Sequence, residues 1–169
     1  MITIKLPIQN KIDISKKIKD ILRKHPFTQK IMSDYNLTSE EIDNNLKIEI
    51  KELAGSFAEG NGDQITIDPK ILKGDFFKDN FHFVIHEFFH WIKRRYESRF
   101  YFNDSEEVQS FVLAITWELI NKKTIDEIEK RIYPIIEKHF KNKIESKELF
   151  KKMLNDAEKI TNLYQKSRV

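Results

Sequence analysis

Apolar residues follow two patterns along the chain, one typical of β-strands and one typical of α-helices. Both patterns occur in the first part of the chain, and only the helical pattern occurs in the second. Residues 2–8, 46–53 and 64–69 alternate apolar and polar positions, which predicts strands. Elsewhere apolar residues recur every three or four positions, as on one face of a helix. The helices predicted in this way cover residues 15–24, 27–35, a segment that begins near Thr38, and residues 79–96, 104–121, 124–141 and 146–164. The pattern predicts an α+β fold with helices at its C-terminal end.

Glycine, proline and capping residues mark the ends of these elements. The first helix should stop at His25, because the residue before Pro26 avoids helical geometry. Three of the four glycines lie between residues 55 and 62 and predict a turn, so residues 46–69 should form a hairpin. Pro134 should kink or break its helix, and residues 165–169 should fray.

The fourth predicted helix carries the sequence His86-Glu87-Phe88-Phe89-His90, an H-E-x-x-H motif. Residues four apart lie on the same helix face, so both imidazoles can reach one metal ion about 2 Å away. Glu87 lies beside that point without being a ligand, where it can act as a general base. Apolar residues surround the motif and indicate a buried helix. The alternative is an amphipathic helix with two histidines on its polar edge.

Two histidines need at least one more ligand. The chain has no cysteine, which excludes a thiolate ligand and a disulfide framework. Glu106 and Glu107 open the next predicted helix, a short connection after His90, and both are candidates. A competing interpretation makes Glu107 the partner of Asp104 in a capping box.

Together, the H-E-x-x-H helix, the Gly55–Asp68 hairpin and the glutamate helix resemble the small gluzincins, minimal zinc metallopeptidases. The resemblance covers roughly residues 46–121. It implies a zincin-like fold, in which a small twisted β-sheet packs on the H-E-x-x-H active-site helix and on a glutamate helix. The histidine that metzincins place six residues after the motif is absent, since Tyr96 stands there. Many gluzincins carry an acidic residue where this chain has Phe111, so the partner of His86 is unassigned.

The resemblance also implies a site and a reaction. In gluzincins a small residue follows the ligand glutamate by three, which favours Glu107, with Ser110 at that position, over Glu106. Zinc on His86, His90 and Glu107 would activate a water, and Glu87 would take its proton during attack on a peptide bond. Relatives stabilise the oxyanion with a tyrosine or histidine beyond the glutamate helix. The candidates here are Tyr133 and His139, with Tyr96, Tyr101 and His82 less favoured.

Chain length, net charge and hydrophobicity limit the number of domains, the kind of partner and the location that can be expected. With 169 residues the chain should form a single compact domain, a catalytic core over residues 1–122 with a helical extension over 123–169 packed on it. The net charge of +3 combines 30 basic and 27 acidic residues, which does not indicate nucleic-acid binding. No apolar stretch is long enough to span a membrane. No signal peptide is evident, so a cytoplasmic location is expected.

The expected partner is a peptide or protein substrate in an extended conformation, paired with an edge strand beside the metal helix. A terminal segment could also occlude the site. The main alternative function is a non-catalytic or latent zinc-binding module with a regulatory or interaction role. A helical interaction protein with an accidental motif is a third hypothesis, and it predicts no bound metal.

Overall fold

The computed structural model describes residues 8–95, 105–140 and 143–166. The chain forms two compact units, Met1–Phe100 and Tyr101–Val169. The first contains helices α1 (Ile8–Lys24), α2 (Pro26–Asp34) and α3 (Ser39–Asn45), strands β1 (Lys47–Ile50), β2 (Ala58–Asn61) and β3 (Gln64–Ile67), a 3-10 turn (Pro69–Leu72), and helices α4 (Phe76–Asp79) and α5 (Phe81–Arg95). The second contains α6 (Glu106–Ile120), α7 (Ile125–Phe140) and α8 (Lys143–Lys166). The predicted α+β class is confirmed, whereas the domain division at residue 122 stays a prediction.

Helix α1 begins seven residues earlier than the sequence pattern predicts. Of the predicted strand 2–8, residues 2–7 lie outside the described residues and Ile8 is helical, not extended. Ser15 does not cap the helix: its hydroxyl donates to the carbonyl of Ile48 at 3.3 Å. Lys11 donates to the carbonyl of Ile50 at 3.0 Å. These two side chains satisfy outward-facing carbonyls of β1, so α1 covers that edge of the sheet.

The sheet has the order β1-β3-β2 and mixes both pairing directions. Strands β2 and β3 are antiparallel and pair Asn61 with Gln64 across a two-residue turn, where Gly62 has a φ of 57°. Strand β1 is parallel to β3. The predicted hairpin of residues 46–69 is therefore wrong in its first arm. The two-residue turn leaves only residues 58–61 to pair back on β3, and residues 51–57 form the connection from the parallel strand.

Helix α5 packs against β2 and β3. Its sequence is apolar on most sides, and the structure buries eight of its residues. They are Phe81, His82, Val84, Ile85, Phe88, Phe89, Trp91 and Ile92. Burial of this kind stabilises a fold by about 25 cal/mol for each Å² of apolar surface removed from water. The helix is thus fixed on the sheet, and its remaining face is held in one orientation.

Capping side chains begin three of the helices. His25 caps α2 and accepts the N–H of Phe27 through Nδ1 at 3.2 Å, which makes it a helix-end residue as predicted. Thr38 and Glu41 form the capping box of α3. Thr124 and Glu127 exchange the same pair of bonds before α7. The carboxylate of Glu127 accepts from the backbone and hydroxyl of Thr124, which lowers its pKa.

In the second unit α6, α7 and α8 pack around a common apolar core. Its buried members are Val108, Phe111, Val112, Ile115, Ile128, Ile132, Ile136, Phe150, Met153 and Ala157. Helix α7 runs through Pro134 without a break, contrary to one of the two predicted outcomes. Helix α8 begins at Lys143, so Ser146 is a buried residue inside it and not its cap. Of the residues 165–169 that were expected to fray, Gln165 and Lys166 are helical and residues 167–169 lie outside the described residues.

No helix in the described ranges is long and apolar enough to cross a membrane.

Candidate metal centre

The H-E-x-x-H motif lies on the one face of α5 that is not fully buried. His86, Glu87 and His90 are each partly exposed, as is Phe83 one turn earlier. The residues around them are buried. The apolar residues around the motif predicted a buried helix. The structure buries the helix but leaves the three polar groups on its accessible face, where solvent can reach them.

The two imidazoles face each other across one helical turn. The Nε2 atoms of His86 and His90 are 3.1 Å apart, and the ring centroids are 4.8 Å apart. Two nitrogens at about 2.0–2.1 Å from a tetrahedral zinc ion lie roughly 3.3 Å from each other. The separation therefore fits two ligands of one small ion. Both nitrogens belong to α5, so helix geometry alone sets their spacing.

Glu87 lies against Gly60 of the edge strand β2. A Cβ atom added at Gly60 would be 2.8 Å from Oε2 of Glu87, closer than ordinary contact allows. The same position is 3.3 Å from Nη2 of Arg94, an exposed residue two turns further along α5. The absence of a side chain at Gly60 thus leaves the room in which the carboxylate lies. The sequence pattern placed Gly60 in a turn and gave no role to Arg94, although glycine within a strand often marks such a close approach.

Glu107 is the second residue of α6 and is partly exposed, whereas Glu106 is exposed. Ser105 caps the helix and its hydroxyl accepts the N–H of Val108. The third position of the helix, which a capping box gives to glutamate or glutamine, is therefore Val108. Asp104 lies outside the described residues, so its predicted pairing with Glu107 stays a prediction. Oε1 of Glu107 lies 3.8 Å from Nδ1 of His139.

His86, His90 and Glu107 form a group that could hold a metal ion. Two imidazoles and a carboxylate are the donor set that zinc takes in many catalytic sites. The donor chemistry therefore fits the ion that the motif predicts. Of the predicted oxyanion donors, His139 is exposed and close to Glu107, and Tyr133 packs edge-on against Phe150 at 5.6 Å. His82 is buried. Tyr96 and Tyr101 lie outside the described residues.

Asp68 fixes the connection that leads into β2. Its side chain is fully buried and accepts the backbone N–H of Leu53 at 2.9 Å and that of Lys70 at 2.7 Å. Burial alone would raise its pKa. The two backbone donors and the ammonium group of Lys70 outweigh that effect and lower the pKa of Asp68. The carboxylate of Asp68 thus holds Leu53, and its backbone N–H donates to the carbonyl of Phe57, so Asp68 bonds to both ends of the connection that precedes β2.

No protein-family model matches this chain, and no characterised protein or solved structure matches it either. The case for a function therefore depends on the site itself.

Proposed function

We propose that this protein is a zinc-dependent metalloendopeptidase of gluzincin type, with a zincin-like fold, that cleaves extended peptides. The observation that carries the proposal is the 3.1 Å separation of the His86 and His90 Nε2 atoms at an accessible helix face, with Glu87 beside them. A helix that only needed to pack would not require a carboxylate at that place. We assign His86, His90 and Glu107 as ligands and Glu87 as the general base.

When bound, zinc would supply a Lewis acid that lowers the pKa of a water towards about 7 and polarises the substrate carbonyl. Glu87 then has two tasks. Its carboxylate accepts the proton of the attacking water, and the resulting carboxylic acid donates that proton to the departing amine. Gly60 leaves the space in which this carboxylate lies, so the base is supported from the strand side.

Among the residues that the structure describes, no strand pairs with the outer edge of β2, and this supports an extended peptide as the substrate. The N–H of Asp68 donates to the carbonyl of Phe57 at 2.9 Å. Because bonded and non-bonded pairs alternate along antiparallel strands, the N–H and C=O of Ala58 and Gly60 point away from β3. A peptide strand added at this edge would bond to these groups. Its backbone would then pass Gly60, the residue that contacts the general base.

The decisive experiment measures bound metal by elemental analysis on protein purified without added metal. We expect about one zinc per chain, lost in Glu107→Ala and retained in Glu106→Ala, the matched control from the adjacent position. Zinc retained in Glu107→Ala would contradict the ligand assignment. A chain that takes up no metal, even when zinc is offered, would refute the proposal.

A cleavage assay then separates an enzyme from a non-catalytic zinc module. Peptide hydrolysis should be lost on chelation, restored by zinc, and lowered by at least about 1,000-fold in Glu87→Gln, since that variant removes the general base but keeps the shape of the side chain. Equal activity of Glu87→Gln and the unmodified protein would show that the cleavage does not arise at this site.

A further inference from the structure

Arg94 lies near the catalytic face of α5 without belonging to the motif. It is one helical turn beyond His90, and residues four apart share a face. Its Nη2 and Nη1 atoms lie 3.3 Å and 3.5 Å from the position that a Cβ at Gly60 would take. The Oε2 atom of Glu87 lies 2.8 Å from that same position. The Arg94 guanidinium and the Glu87 carboxylate therefore both lie close to Gly60, on the outer edge of β2.

The positive charge of Arg94 has no fixed partner among the residues that the structure describes. Its neighbour Arg95 differs, because its guanidinium pairs with the carboxylate of Asp63. Arg94 is exposed and lies at the strand edge where the substrate backbone is expected. A guanidinium presents a planar set of donors that matches the two oxygens of a carboxylate. A carboxylate is the group that best fits this place, and a bound peptide can supply one.

An aromatic pair lies at the opposite end of the same face. The rings of Phe57 and Phe83 are 5.1 Å apart, and Phe57, which precedes β2, is 45% exposed. Phe83 is one turn before Glu87, whereas Arg94 is nearly two turns after it. The reacting groups thus lie between an apolar end and a cationic end. A peptide along β2 would meet the two ends on opposite sides of its cleaved bond.

We propose that Arg94 is a specificity-determining residue, which binds an acidic side chain of the substrate close to the cleaved bond. The inference rests on the proposed peptidase function and names its substrate class: peptides with a glutamate or aspartate near the scissile bond. Bound to the edge of β2, such a peptide places every second side chain towards α5. The side chain beside Gly60 is then within reach of the Arg94 guanidinium.

The test uses peptide binding, because binding can be measured whether or not cleavage occurs. Full-length Glu87→Gln protein with zinc added is titrated, by fluorescence anisotropy, against peptides of equal length in which one glutamate moves along an uncharged sequence. Each peptide is compared with its glutamine counterpart. At one position we expect the glutamate peptide to bind about three- to tenfold more tightly, the range for an ion pair that is partly exposed. Adding Arg94→Glu should abolish or reverse this preference.

The matched control is Lys47→Glu in the same background. Lys47 is exposed on β1, the strand at the opposite edge of the sheet, and the substitution changes the net charge by the same amount. The preference for glutamate should survive there. It should also survive in Arg94→Lys, at a lower value, because the charge remains.

Two outcomes would overturn the inference. One is that the Glu87→Gln protein shows no preference for glutamate peptides, or that its preference stays unchanged when Arg94→Glu is added. The other is an equal loss of affinity for glutamate and glutamine peptides, which would mean that Arg94 acts on the fold or on the site as a whole. Selective binding without any cleavage by the protein that retains Glu87 would refute the peptidase proposal and leave the Arg94 assignment standing. No binding of any peptide would refute both.

Discussion

The contact between Gly60 and Glu87 gives a prediction that can be worked out from the geometry. In Gly60→Ala the new methyl group would lie 2.8 Å from Oε2 of Glu87, about 0.6 Å inside the 3.4 Å at which ordinary contact begins. The backbone of β2 is held by its pairing with β3. The carboxylate therefore has to move by about that amount. Arg94 is exposed and its flexible side chain can move aside.

If Glu87 is the general base that we propose, displacing its carboxylate should slow peptide cleavage without removing the metal. A misplacement of about 1 Å can cost around 100-fold in rate. For a shift of about 0.6 Å we expect kcat to fall about 10- to 50-fold, equivalent to roughly 1.4–2.3 kcal/mol in the barrier. Zinc content should stay at the unmodified level, because the three atoms nearest to the new methyl group belong to Glu87 and Arg94 and to neither histidine. Alanine is also the better strand residue, so stability should not fall by more than about 1 kcal/mol.

The assay is peptide cleavage under saturating substrate, with zinc content and thermal unfolding measured on the same samples. Asn61→Ala is the matched control, since Asn61 is the next residue of β2 and is exposed. It should leave kcat within about twofold. A double variant gives the sharper test. In Glu87→Asp the side chain is shorter by one methylene, so its carboxylate lies further from Gly60. Adding Gly60→Ala to that variant should therefore lower kcat little further.

Two results would refute this reasoning. The first is an unchanged kcat in Gly60→Ala, which would mean that Glu87 does not react from the position it has in the structure. The second is a fall of the same size in the Glu87→Asp background. The methyl group would then act through the strand and its substrate bonds, not through the carboxylate.

The remaining predictions concern stability and are checked by urea unfolding. Asp68→Ala should destabilise the protein by about 2–4 kcal/mol, because two backbone N–H groups lose a buried carboxylate; Asp75→Ala, at an exposed helix cap, should cost about 1 kcal/mol. The pKa of Asp68 is lowered by folding, so its contribution should be constant above about pH 5 and shrink as the pH falls below about 3.9; a constant difference down to pH 2 would contradict the assigned contacts. Met153→Ala, in the core of the second unit, should cost about 2–5 kcal/mol, and Leu163→Ala, on the same helix but 68% exposed, less than about 0.5 kcal/mol.

The residues of the motif were predictable from sequence because their geometry is local. A period of 3.6 residues brings His86 and His90 to the same face whatever else the chain does, provided the segment is helical. The apolar residues around the motif made that helix the expected structure. The same is true of the helix starts predicted near Thr38 and at Thr124, where the capping bonds join residues three positions apart. These features could be predicted because they depend on residues only three or four positions apart, and not on the rest of the fold.

The sheet shows where local rules fail. Alternation of apolar and polar residues correctly predicted strands at β1 and β3, but it carries no information on their direction. Their parallel pairing depends on α1, whose Lys11 and Ser15 bind the carbonyls of Ile50 and Ile48 and so cover the far edge. That arrangement links residues more than thirty positions apart. It also required a helix that begins before Ser15, whereas the sequence pattern predicted that this helix begins at Ser15.

The parallel pairing is what makes β2 the accessible edge. Had the strands of residues 46–69 formed a simple hairpin, β1 would have taken the place beside β3 that β2 occupies, and no glycine would face Glu87. Because β1 pairs with β3 on the other side, the short strand with Gly60 lies against α5. The room beside Glu87 and the position of β2 at the edge of the described sheet therefore have one cause. A change that weakened the β1–β3 pairing should impair both peptide binding and the position of Glu87, while leaving the spacing of the two histidines, which α5 alone determines, unaffected.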